Sequence, residues 1–191
     1  MINDFGVIYL KKIMALLLAT TVVFSVATGC QPKKRKQNYK NAVVSQQKSE
    51  SFEDAVKECF NASYSLGGGE VFYAYMYPNA AIDAMKQSGQ YDDLISTFNH
   101  GQENRFMLDD SKLEYEKIMD SHEINDNQRA AAKKYLVQIC EQFVPELTED
   151  QLDIKEGYEV TFSHLRNGEA DGKDTVLAIK LNDEGWKVIT G

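Results

Sequence analysis

The chain has 191 residues, 43% of them hydrophobic and 26% charged, and a formal net charge of −8. That length suffices for one domain with a proper apolar core plus a tether. From Ser51 onward, 13 Lys plus Arg stand against 27 Asp plus Glu, so this part carries −14. A body of that sign is repelled by phosphate backbones, which excludes nucleic acid from the expected partners.

The first informative element is Lys11-Lys12, the apolar run Ile13 to Val26, and then Ala27-Thr28-Gly29-Cys30. A basic patch, an apolar core of signal-peptide length and small residues before a cut site together predict an export signal. The alternative is an uncleaved anchor, but Ile13 to Gly29 sits at the short limit of the roughly 17–25 residues that span a bilayer. Lys33-Lys34-Arg35-Lys36 follows the run directly and pulls toward cytoplasmic retention of that end. The polar stretch and acidic domain that come next decide the expectation for export, with the basic cluster left to meet anionic headgroups. Gly29-Cys30 resembles the lipobox of bacterial lipoproteins, although Ala27 stands where that family prefers Leu. The resemblance implies that residues 1–29 are a lipoprotein signal peptide and that Cys30 receives a diacylglyceryl group, with palmitate-like acyl chains. Cys30 then becomes the first residue of a protein held on the extracytoplasmic face of the cell membrane. Two buried acyl chains hold a protein stably where one holds it marginally.

Residues 30–50 are rich in Gln, Lys, Asn and Ser and predict a flexible tether. A single domain is expected over 51–191. Ser51 and Asp54 have capping-box spacing, and Phe52, Ala55, Val56, Cys59 and Phe60 follow at helical intervals. Gly67-Gly68-Gly69 closes that helix, and no Lys-Ser or Lys-Thr follows to make it a phosphate loop. Further helices are predicted over Glu70–Tyr77, ended by Pro78, over Ala80–Gln87 and over Tyr91–Asn99. Lys112–Ile118 alternates as a half-exposed strand. Asn125–Val144 gives the strongest helix, with Asn125 as its cap, Gln128 three positions on, and Pro145 at its end.

The period then falls to two. Tyr158, Val160, Phe162 and His164 share one face, as do Thr175, Leu177, Ile179 and Leu181 in the next run. With Trp186–Thr190 they predict a three-stranded antiparallel meander, turned through Asn167-Gly168 to Asp171-Gly172 and through Asp183-Glu184-Gly185. Cys59 and Cys140 both fall on apolar helix faces. They are candidates for one disulfide in an oxidising compartment, or for two buried free thiols.

Helices, a strand, a long helix and a meander ending in Gly185-Trp186-Lys187-Val188 resemble the NTF2-like, cystatin-like cone fold of many small bacterial lipoproteins. Met76-Tyr77-Pro78 and Asp183-Glu184-Gly185-Trp186 carry the local likeness. The resemblance implies an α+β domain in which N-terminal helices and one long helix pack on a curved antiparallel sheet, with a pocket used for binding or for isomerase or dehydratase chemistry. Fold alone does not choose among these. Among His100, His122 and His164, the last alone falls on an apolar face, where a packed histidine is the ordinary outcome. No His or Cys spacing fits a metal, and Asp109-Asp110 and Asp171-x-x-Asp174 lack the calcium-loop pattern. Tyr73, Tyr75, Tyr77, Tyr115 and Trp186 offer ring faces and polar handles for lining a cleft, against core packing as the default. The expected function is therefore a lipid-anchored binding or accessory module without catalysis or cofactor, whose partners are the bilayer and a small molecule or envelope protein. A pocket enzyme using His164 and a protein-interaction or inhibitor domain are the alternatives.

Overall fold

The computed structural model describes residues 51–190, within one compact unit of the chain. Cys30, the export signal and the tether lie outside the described residues. Helix α1 spans Phe52–Ser63, with the Ser51 hydroxyl accepting the Asp54 N–H at 3.2 Å. Helices α2 (Gly69–Met76) and α3 (Asn79–Ser88) follow, separated by Tyr77 and Pro78. Helix α4 runs over Gln90–Leu108, nine residues beyond the Asn99 limit expected, because nothing between Asn99 and Leu108 breaks a helix except the single Gly101. Helix α5 is Asp126–Cys140, opened by the expected reciprocal cap of Asn125 and Gln128.

Four strands, β1 (Leu113–Glu123), β2 (Ile154–Arg166), β3 (Glu169–Leu181) and β4 (Gly185–Thr190), pair antiparallel in the order β1-β2-β3-β4. The meander therefore has one strand more than the expected three, because β1 continues to Glu123 and joins β2 along its length. The β2–β3 connection is also tighter. Only Asn167 (φ 53°) and Gly168 (φ 83°) turn, both with the positive φ that a two-residue hairpin of matching twist requires. Asp171-Gly172, expected in the connection, is instead part of β3: Gly172 pairs with His164, and Asp171 is the extra residue of the bulge before the Leu165–Ala170 pair.

Successive strand residues face opposite sides of a sheet. Val160, Phe162, Val176, Ala178, Trp186 and Val188 form one core cluster with Ala55, Val56, Cys59 and Phe60 of α1. Ile154, Ile179, Leu181 and Ile189 form the other, with Ala81, Ile82 and Met85 of α3 and Ala132, Leu136 and Cys140 of α5. Helices thus clad both faces of β3 and β4. This overturns the NTF2-like, cystatin-like expectation: the sheet is neither curved nor cone-shaped. A cone needs one concave face wrapped around a single helical layer, whereas apolar residues at consecutive positions such as Ala178 and Ile179 demand cover on both sides. Close packing on the α5 side is visible at Gly157, where any Cβ would collide with Ile124. No helix among the described residues is long and apolar enough to cross a membrane.

Candidate functional site

Helix α2 sorts its tyrosines by face. Tyr73 and Tyr77 are four residues apart and lie side by side, whereas Tyr75 points the opposite way. Tyr75 is buried in the α1 cluster, where its hydroxyl donates to Glu58 Oε2. Tyr115 and Trp186 also belong to that cluster, with Tyr115 stacked on Phe162 at 5.6 Å. Of the five aromatics read as cleft candidates, the structure therefore places Tyr75, Tyr115 and Trp186 in the cluster beside α1 and brings Tyr73 and Tyr77 together outside it.

Their neighbours come from elements far away in sequence. Phe98 of α4 packs edge-on to Tyr73 at 5.5 Å and stacks on Phe72 at 4.9 Å. Tyr73 lies 5.9 Å from Tyr77, and Phe143, just past α5, meets Tyr77 edge-on at 6.0 Å. Tyr135 of α5 completes the group. The result is a strip of half-buried rings running from α4 across α2 to the end of α5. Burial raises the phenol pKa of Tyr73 and Tyr135, and pushes that of Tyr77 up to about 12, with Tyr73, Cys140 and Tyr135 as further causes. All three phenols stay protonated at neutral pH and remain hydrogen-bond donors. No hydrogen bond among the described residues engages the three hydroxyls.

Beneath the strip lies a buried polar knot. The Lys187 ammonium, on a residue only 3% exposed, donates to the Ala74 carbonyl at 3.0 Å and to Asn79 Oδ1 at 3.3 Å. It lies 3.5 Å from Glu184 Oε2, which also accepts the Asn79 N–H at 2.7 Å. This knot holds the Tyr77-Pro78 bend, and with it the two tyrosines, against the β3–β4 hairpin.

The other sequence candidates lie elsewhere. His164 stacks on Phe60 at 5.5 Å, with Asp171 Oδ2 3.5 Å from Nδ1 and Asp174 Oδ2 3.4 Å from Nε2. Nδ1 makes no hydrogen bond, so the ring is held by packing and by the field of the two carboxylates. Asp171 is in turn gripped by Arg166 through two contacts of 3.1 and 3.2 Å, and Arg166 Nη1 donates to Ser111 Oγ at 2.7 Å. His122 faces Glu159 at 3.2 Å, and His100 faces Glu103 at 3.2 Å, both on the surface. The three histidines do not converge. Among the described residues no group of His, Cys, Asp and Glu is arranged to hold a metal.

Cys59 and Cys140 are free thiols, one in each core cluster. Burial pushes each thiol pKa up to about 12. Such thiols are poor nucleophiles. Sequence reasoning missed Phe98, Tyr135 and Phe143 as members of the strip. The four-residue spacing of Tyr73 and Tyr77 was the signal available, and it separates them from Tyr75. No family model, curated protein or solved structure matches this chain.

Proposed function

We propose that this protein is a lipid-anchored, extracytoplasmic binding module. Cys30 carries the anchor, residues 30–50 form the tether, and the domain from residue 51 offers the strip of Tyr73, Tyr77, Tyr135 and Phe143 to a ligand. The observation that carries the binding reading is the gathering of half-buried rings from α4, α2, the Tyr77 bend and the end of α5 into one strip outside the core cluster beside α1. Tyrosines in such a place offer an apolar ring and a hydroxyl that reaches the surface, the pairing that binding surfaces use. Lys11 to Cys30 supports the location. The enzyme alternative depended on a pocket enclosed by a curved sheet and loses its support with that sheet.

Two measurements test the reading. Mass spectrometry of the membrane fraction is expected to find the mature N-terminus at an acylated Cys30, and Cys30→Ser to release the protein from the membrane. A thermal-shift screen of the full chain against cell-envelope components is expected to raise the melting temperature with at least one, and Tyr73→Phe/Tyr135→Phe to remove that rise. An uncut precursor sinks the anchor; a screen that moves nothing sinks the binding module.

A further inference from the structure

The ring of His164 on β2 stands between two carboxylates. Only 13% of its side chain meets solvent, and its pairing partner on β3 is Gly172. A Cβ on Gly172 would lie 3.2 Å from Nε2 and 3.3 Å from Cε1, so a glycine there lets the β3 backbone come up to the ring. Asp171 Oδ2 is 3.5 Å from Nδ1, and Asp174 Oδ2 is 3.4 Å from Nε2. Both separations exceed the about 2.7–3.2 Å of an ordinary N–H···O bond. Nδ1, enclosed by protein, has no hydrogen-bond partner among the described residues.

This arrangement suits one protonation state. A neutral imidazole carries a single N–H, so one nitrogen turns a lone pair toward a carboxylate, whereas the imidazolium donates from both. The groups around the ring are accounted for element by element. Opposite on β1 is Tyr115, and α1 brings Phe60 and, just past its end, Tyr64, a phenol that feels Asp174, Arg105, Arg166 and Asp171. Arg105 of α4 donates to the Tyr64 carbonyl, and Arg166 of β2 pairs with Asp109 and Asp171. Among the described residues Asp174 has no ion-pair partner except the ring. Three carboxylates against two guanidiniums leave this corner one positive charge short, and the imidazolium supplies it.

We infer that His164 is a proton-operated clasp on the β2–β3 hairpin, which on taking up a proton donates to Asp171 and Asp174 at once. Charge-assisted bonds of this kind contract to about 2.7–2.9 Å, so the closure needs a shift of less than about 1 Å. Because the two bonds exist only with the proton on, the hairpin is tightest in mild acid and loosens as pH rises through about 5–8, where imidazole changes charge. The Arg166–Asp171 pair keeps its charges across that range, because Asp171 is held below 3.8, so the two effects separate by pH. The clasp depends neither on the anchor nor on the aromatic strip.

The test follows amide hydrogen exchange of the full chain at pH 5 and pH 8, corrected for the intrinsic rate at each pH. Protection of the paired amides of residues 163–174 is expected to be about 3- to 10-fold greater at pH 5 in the parent. His164→Gln is expected to abolish that gain and Asp174→Asn to reduce it, while His122→Gln, at the surface against Glu159, leaves it intact. Ring ¹H–¹⁵N spectra of the parent are expected to show both His164 N–H groups at pH 5 and one at pH 8. The inference is overturned if the gain is absent from the parent, survives in His164→Gln or is undiminished in Asp174→Asn. A His164 ring that carries a single N–H in the folded parent at pH 5 overturns it without recourse to any variant.

Discussion

At the scale of single residues, Lys187 is the most consequential position in the described domain. A buried ammonium is tolerated only when its donors are matched, and here a carbonyl, an amide oxygen and a carboxylate converge on it. Lys187→Met keeps the aliphatic stem but leaves the Glu184 carboxylate without this countercharge, holding only the Asn79 N–H, and takes the ammonium donor from the Asn79 oxygen. The expected cost is about 3 kcal/mol, read as a lower denaturation midpoint at unchanged m-value, and a loss under about 1 kcal/mol would contradict the role given to the knot. None of this was legible in the sequence. Alternation through β4 marks Lys187 as facing away from Trp186 and Val188, which in a sheet with one buried face means solvent. Its burial follows only from the second helical layer. Trp186, by contrast, was legible as core, since a large ring that shares one strand face with Val188 has the interior as its default place.

At the scale of elements, the β2–β3 hairpin is tied down by charge where it leaves the core. Arg166 on β2 grips Asp171 on β3 and reaches Asp109 and Ser111 in the segment between α4 and β1. The Arg166 guanidinium holds the Asp171 carboxyl below its ordinary range, and the Ser111 backbone and hydroxyl, then Arg166, do the same for Asp109. A lowered carboxyl pKa means that the unfolded chain binds more protons, so the contribution is present at neutral pH and is lost as pH falls through and below 3.8. Arg166→Gln is expected to lower the melting temperature at pH 6 and to match the parent at pH 2. Equal melting temperatures at both pH values would show that the grip contributes nothing. Salt should shrink the difference, since these groups face water. The hairpin itself was readable from Asn167-Gly168. Its true length was not, because Asp171-Gly172 has turn chemistry, yet Gly172 pairs with His164 and Asp171 is taken up as a bulge within the strand.

At the scale of the whole domain, two apolar clusters share one sheet. Consecutive core residues such as Val176 to Ile179 belong to opposite sides, so the loss of one helical layer exposes the strands that the other layer needs. Leu136→Ala, made at a fully buried site on the α5 side, is expected to cost about 3–5 kcal/mol. Trp186 is the only tryptophan and reports from the α1 side. If the domain unfolds as one unit, its fluorescence midpoint shifts as far as the far-ultraviolet circular dichroism midpoint does. Separation of the two curves in Leu136→Ala would show instead that the layers melt independently. The α+β class, the capped α1 and α5 and the order of the meander were legible from periodicity and caps. The two-sided cladding was not, because a partly alternating strand such as Thr175–Leu181 suggests a sheet wet on one face until the partners of Leu177 and Ile179 are known.

The span of the Lys187 contact sets a timetable. The ammonium that fastens Ala74 belongs to a residue 113 positions downstream, and α1 rests on Trp186 and Val188 of the same strand. During synthesis, the contacts that α1 and the Ala74 turn make with β4 are therefore the last to become available, although α1 meets β2 and β3 earlier. For a polypeptide proposed to be threaded across a membrane, that delay keeps the precursor pliable during passage and postpones its final closure to the far side.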